Sequence, residues 1–292
     1  MSIMKKPDRY LVLGLPKSAT TGLYSDLVKA LSPNVVSIFE PIDNRYISGN
    51  EKIQRAINDG KNLVVKLVCV DHDPEKSNII RVPRPDYDSF SGYEKKIFLV
   101  RDPRDNLVSY MLYMIVNSRR LVLRVHATKL VDLIREKEDR PGDVSVRRIL
   151  SLMGQLNSSD FVELFMRWRN FSVEYLDRNP SFYTFRYEDY IYRKLASLEE
   201  YLGFRLRDRS DVPDHFKFVA RTRKSGDWRN WFLEEDVEYF RPYFRPYMEK
   251  YGYPDDWELP VAPVLDPEKG SGYVAMLVED FYKKFPKYGQ TL

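Results

Sequence analysis

The chain has 292 residues, 43% hydrophobic and 31% charged, enough to bury a sizeable core and too balanced to stay disordered. Its 47 basic and 43 acidic residues leave a net charge of +4, which suits one anionic ligand in a pocket and is too small to argue for a nucleic-acid binder. The single cysteine, Cys69, excludes an internal disulfide framework; inside the apolar run 63–70 it reads as a small core residue in a reducing compartment.

The N-terminal stretch MSIMKKPDRYLVLG has no signal-peptide h-region, and no run of eighteen apolar residues occurs, so the expectation is a cytoplasmic protein without a transmembrane segment. Residues 10–13 are apolar and run into Gly14 and Pro16, the pattern of a buried strand ending in a turn. Leu23, Leu27 and Leu31 share one face of a following helix, with Thr20 or Thr21 placed to cap it and Pro33 to end it. Strands are expected over 34–39, 63–70 and 96–100, and a helix over 103–117 opened by Asp102 as N-cap with Pro103 in the first position. Strands alternating with helices predict an α/β fold with a central parallel sheet.

Two helical patterns within 119–159 flank the break Asp139-Arg140-Pro141-Gly142. An amphipathic helix over 160–177 carries Phe161, Leu164, Phe165, Trp168, Phe171 and Tyr175 on one face and stops at Asn179-Pro180. A strand over 182–187 and a helix over 195–202, closed by Gly203, follow. The tandem Arg-Pro-Tyr-Phe and Arg-Pro-Tyr-Met at 241–248 reads as a local duplication. Beyond Gly252, four prolines mark an extended segment before a last helix over 273–285. The expected organisation is one α/β domain over 1–253 and a Pro-rich extension with a terminal helix over 254–292. Within the domain, 119–159 is either a helical insertion lining an acceptor site or a solvated helical face.

The segment Gly14-Leu15-Pro16-Lys17-Ser18-Ala19-Thr20-Thr21-Gly22 joins a strand to a helix. A helix N-terminus presents unpaired N–H groups and the positive end of a dipole, so it receives oxyanions well. Lys17 adds a charge, and Ser18, Thr20 and Thr21 add hydroxyl donors; a plain capped helix with an exposed lysine is the alternative. The Gly-Lys-Ser/Thr ending of a P-loop kinase or GTPase is missing.

At these residues the chain resembles the PAPS-dependent sulfotransferases, whose first signature is a strand, then Pro-Lys/Arg-Ser-Gly-Thr-Thr, then a helix. Pro16, Lys17, Ser18, Thr20 and Thr21 match, with Ala19 in the glycine slot. The resemblance implies a P-loop nucleotide-kinase-like architecture and a loop that wraps the 5′-phosphosulfate of PAPS, with Lys17 at the bridging oxygen that leaves. Gly22 stands where the cytosolic branch has a tryptophan that stacks on adenine.

Arg101-Asp102-Pro103-Arg104-Asp105, with Ser109 eight residues after Arg101, resembles the family's 3′-phosphate signature. Arg101 falls at a strand's carboxyl end, where open α/β sheets bind ligands, and Ser109 about two turns into the next helix, so both can address one phosphate. Arg104 and Asp105 read as first-turn residues on a solvated face. Tyr187, in Arg186-Tyr187-Glu188-Asp189, resembles the tyrosine that approaches adenine. The stretch 221–230 is similar to the late loop that closes over the 3′-phosphate: Arg221 and Gly226-Asp227-Trp228 match, and Arg223 or Lys224 replaces a charge absent at Thr222.

Sulfuryl transfer needs a base near the acceptor oxygen and a cation near the leaving oxygen. The cytosolic branch uses a histidine in Lys-Thr-His; Lys66-Leu67-Val68 stands in that place, and His72 follows shortly after. Phe39-Glu40-Pro41, with Glu40 lying 23 residues after Lys17, resembles the Glu-Pro segment of the carbohydrate and heparan-type branches. The candidate bases are therefore Glu40 first and His72 second, with Lys66 assisting. The resemblance implies PAPS as co-substrate, PAP as product, no metal, and a hydroxyl-bearing small molecule or glycan as acceptor. The remaining alternatives are a P-loop nucleotide kinase and a PAP-binding protein without a working base.

Overall fold

A computed structural model describes residues 8–71, 85–206 and 221–288. Within it the chain divides into two compact units. Among the described residues the first comprises 8–71, 85–101 and 170–206, and the second 102–169 and 221–288.

The first unit is built on five parallel strands: β1 (Arg9–Gly14), β2 (Val35–Phe39), β3 (Asn62–Lys66), β4 (Lys95–Val100) and β5 (Tyr183–Arg186), in the order β2-β3-β1-β4-β5. β1, β3 and β4 read as unbroken apolar runs because both faces of the sheet are covered. On one face Val12, Val64, Ile97 and Phe185 pack with Leu23 and Leu27 of helix α1 (Thr20–Leu31) and with Tyr190, Leu198 and Leu202 of helices α8 (Tyr187–Ile191) and α9 (Ala196–Leu202). On the other, the Phe98 ring meets Phe182, which meets Tyr175. Two short helices, α2 (Arg45–Ser48) and α3 (Glu51–Asn58), fill the β2–β3 connection.

The expected strand over 63–70 pairs as a strand only over Asn62–Lys66. The chain still tracks β1 beyond it, with Leu67 N–H donating to Val12 and Cys69 N–H to Gly14. Gly203 closes α9 in the left-handed conformation expected of it, at φ 81°.

The second unit is helical: α4 (Pro103–Met114), α5 (Arg124–Asp139), α6 (Val146–Asn157), α10 (Trp228–Trp231), α11 (Glu234–Tyr251), α12 (Ser271–Lys284) and the first half of α7 (Phe161–Arg178). The 254–288 stretch belongs to this unit. α5 and α6 are the two patterns read around the 139–142 break, and Asp102 accepts from Arg104 N–H as the expected cap of α4.

The tandem Arg-Pro-Tyr duplication lies inside α11. Proline in a helix interior removes a hydrogen bond and costs ~3 kcal/mol. Pro242 and Pro246 both face solvent, where water satisfies the freed carbonyls, while Val237, Phe240, Phe244, Tyr247 and Met248 bury the opposite stripe. Burial of that stripe outweighs the two lost bonds.

Candidate functional site

The loop after β1 begins at a glycine whose replacement would force its neighbours to move. A Cβ on Gly14 would lie 2.7 Å from the Ser18 hydroxyl oxygen and 2.8 Å from the Leu99 carbonyl oxygen. Beyond it the backbone alternates: Lys17 has φ 68° and Ala19 φ 66°, with Ser18 between them outside the left-handed region. Such alternation curls successive N–H groups around a concavity that accepts anions. Holding two residues with a Cβ in this geometry costs on the order of 1–2 kcal/mol each. Ala19 therefore occupies the slot where glycine would sit without strain.

Ser18 is fully buried and sends both its hydroxyl (2.6 Å) and its N–H (3.3 Å) to the Leu15 carbonyl. The expectation that Thr20 or Thr21 caps α1 is corrected. The helix starts at Thr20, which places both threonines inside the first turn, and the cap position falls to Ala19, which supplies no side-chain acceptor. Leu23 is the first residue whose N–H returns into the helix, to Ala19, so the N–H groups of Thr20, Thr21 and Gly22 face out of its end.

Arg101 follows β4, the neighbour of β1. The chain leaves β1 toward β2 on one side of the sheet and leaves β4 toward β5 on the other, so the two carboxyl ends flank the topological switch point where such sheets bind ligands. Arg101 is buried, donates from Nη1 to the Lys17 carbonyl oxygen at 2.6 Å, and lies 4.0 Å from the centre of the Tyr187 ring. Three of the sequence-predicted residues thus meet in the first unit.

Gly22 has its own reason. A Cβ there would come within 2.8 Å of the Tyr190 hydroxyl, which donates to the buried Asp26 carboxylate at 2.9 Å; Arg193 pairs with the same oxygen at 3.1 Å. The volume that a tryptophan would claim at position 22 begins with Tyr190. This Asp26–Tyr190–Arg193 group carries no sequence motif, because its members lie 164 and 167 residues from Asp26.

Two strands away from Arg101, Lys66 and Glu40 form an ion pair at the carboxyl ends of β3 and β2. Lys66 is 3% exposed, and its ammonium also sits 4.6 Å from the centre of the Phe39 ring. Burial pushes the Lys66 ammonium below the usual lysine range, and the Glu40 carboxylate opposes that shift. Glu40 adopts φ 49°, and its N–H donates to the Lys66 carbonyl at 2.8 Å, so backbone and side chains are tied together. His72, the second candidate base, lies outside the described residues.

The second unit holds Ser109, Arg221, Arg223 and Lys224. Ser109 is buried in α4, a helix covered on nearly every side. The reading of Arg104 and Asp105 as a solvated face is overturned: they are 2% and 0% exposed. Asp105 stands where a capping-box acid would fold back on its own helix, but accepts instead from Gly226 N–H at 2.6 Å and Trp228 N–H at 3.0 Å. Arg104 grips Asp102 through two hydrogen bonds, lies 4.3 Å from the Trp228 ring centre and donates to the Asp256 carbonyl. Buried packing supplies both roles, and no local pattern announces them.

Arg221 is committed within the second unit, pairing with Asp227 at 2.6 Å and donating to the Lys269 carbonyl at 3.3 Å. Arg223 is exposed at φ 53°, and Lys224 is exposed beside it. Among the described residues no three His, Cys, Asp or Glu side chains gather as a metal-ligand set, and no helix is long and apolar enough to cross a membrane.

No family model matches the chain, and no curated protein matches it. Among solved structures it is similar to mouse sulfotransferase SULT7A1 complexed with PAP, at 16% identity and a TM-score of 0.47, over 83% of this chain and 85% of that one.

Proposed function

We propose that this chain is a sulfotransferase that moves the sulfuryl group of PAPS onto a hydroxyl acceptor and releases PAP. The observation that carries the reading is the Lys17 loop: a left-handed lysine and an uncapped helix N-terminus at the sheet's switch point, bound by Arg101. These are the parts a phosphosulfate needs, and they coincide with the signatures that the sequence resembles.

In the reaction the acceptor oxygen forms a bond to sulfur as the bond from sulfur to the bridging phosphate oxygen breaks, and the electron pair of that bond stays on PAP. Glu40 takes the acceptor proton, and its ion pair with Lys66 holds the carboxylate in place. Lys17 opposes the negative charge that grows on the leaving oxygen, an interaction stronger in the transition state than in the ground state. The outward N–H groups of Thr20, Thr21 and Gly22, with the loop from Pro16 to Ala19, bind the 5′-phosphosulfate. Within the first unit Arg101 addresses the 3′-phosphate and Tyr187 the adenine; Ser109 and the 221–224 segment, in the second unit, carry the remainder of the 3′-phosphate signatures that the sequence resembles. The Glu40-Pro41 segment favours a carbohydrate or other aliphatic alcohol as acceptor.

Thermal-shift titration with PAP, ATP and ATP plus magnesium tests the assignment. Stabilisation by PAP is expected. Stabilisation by magnesium-ATP and none by PAP would transfer the reading to a P-loop kinase, and PAP binding without sulfate transfer to a broad acceptor panel would leave a nucleotide-binding protein without turnover.

A further inference from the structure

The peptide that joins Lys17 to Ser18 is held at both of its polar ends. Its carbonyl oxygen accepts from Arg101 Nη1 at 2.6 Å, and its N–H donates to the Leu15 carbonyl at 3.3 Å. Because the peptide unit is planar, these two bonds together fix the plane, and turning it breaks both. One bond is local; the other comes from a residue 84 positions along the chain. Arg101 is itself fixed, 5% exposed and with its guanidinium 4.0 Å from the Tyr187 ring centre. A residue with a Cβ keeps a left-handed conformation only where its surroundings over-determine it, and Lys17 at φ 68° has such a constraint in Arg101.

We infer that Arg101, steadied by Tyr187, is a positioning residue that locks the Lys17–Ser18 peptide plane and so aims the Lys17 side chain. This role is separate from a contact between Arg101 and a phosphate. It rests on the proposed function only in the claim that Lys17 acts on the leaving group. One consequence is coupling: a nucleotide that displaces or tightens Arg101 on Tyr187 changes the geometry of the loop that handles the sulfuryl group.

Hydrogen exchange in the ligand-free protein reads the lock directly. In Arg101→Leu the Ser18 amide is expected to exchange at least about tenfold faster, with the β3 amides unchanged. Arg101→Lys keeps the charge but loses the planar stack and is expected to loosen the loop as well. Tyr187→Leu, which leaves Arg101 intact, is expected to give a smaller rise confined to the loop. Unchanged exchange at Ser18, or an equal rise in the loop and in β3, overturns the inference.

Kinetics give a second reading. At saturating PAPS the Arg101→Leu/Lys17→Ala double variant is expected to turn over within roughly twofold of Lys17→Ala alone, because the first change acts through the second. Multiplied losses would assign Arg101 an effect independent of Lys17 and overturn the role. Wild-type protein that fails to bind PAP sinks the sulfotransferase reading, while the exchange result still decides whether Arg101 locks the loop.

Discussion

The Lys66 ammonium and the Glu40 carboxylate pair at the carboxyl ends of adjacent strands, one side chain 3% exposed and the other 27%. The cation is buried, and the anion, on a residue with a left-handed backbone, keeps part of its side chain exposed. A carboxylate placed this way is held by its partner and still reachable, as a proton acceptor must be. Glu40→Gln is expected to lower kcat by ~10²-fold or more while PAP affinity by calorimetry stays near wild type. Full activity in Glu40→Gln together with loss in His72→Ala would hand the base to His72.

Lys17→Ala is expected to lower kcat by ~10²–10³-fold, with a much smaller change in the dissociation constant for PAP. Its side chain acts on charge that develops at the bridging oxygen, and PAP already carries the product phosphate. Equal losses in binding and turnover would make Lys17 a ground-state ligand only.

At a helix-interior glycine with free space, Gly→Ala stabilises by ~1 kcal/mol. Gly22 has no such space, since the added Cβ meets the Tyr190 hydroxyl at 2.8 Å and that hydroxyl is held by Asp26. Gly22→Ala is therefore expected to destabilise by about 1–3 kcal/mol in urea unfolding. The cost should shrink in a Tyr190→Phe background, and a stabilised Gly22→Ala would show that Tyr190 yields freely.

Asp105 is fully buried and accepts two backbone N–H groups from a segment more than a hundred residues later. Asp105→Ala leaves those donors without their acceptor and is expected to cost roughly 2–4 kcal/mol. Limited proteolysis should then detect loosening around Gly226–Trp228. Wild-type stability in Asp105→Ala would mean that the segment is held by its other contacts.

Lys137 in α5 is buried and donates to the Pro141 carbonyl at 2.5 Å; burial lowers its pKa from 10.5 to about 8, against the pull of Asp236. The folded value lies below the unfolded one, so between the two the unfolded chain holds a proton that the folded chain has released. Stability tied to this group therefore rises with pH from about 8 toward 10.5. The difference in unfolding free energy between wild type and Lys137→Met should move in the wild type's favour across that window. A difference that stays flat would show that Lys137 keeps an ordinary lysine pKa when folded.

The sequence by itself determined the elements whose signals are local. The apolar runs of β1, β3 and β4, the Asp102-Pro103 opening of α4 and the Gly203 stop of α9 each depend on a few adjacent residues and one backbone preference. The course of the chain from Gly14 to Gly22 was legible for the same reason, because strand, turn and helix start are contiguous there. Burial and partnership belong to the tertiary structure. Arg104 and Asp105 look like solvated first-turn charges until segments 254–257 and 226–228 close over them. The two prolines of α11 argue against a helix until its aromatic stripe is packed. The Lys66–Glu40 pair and the Arg101 bond to the Lys17 carbonyl join residues 26 and 84 positions apart. A local pattern can say that a side chain carries charge, but what that charge faces is set by whichever distant segment folds against it.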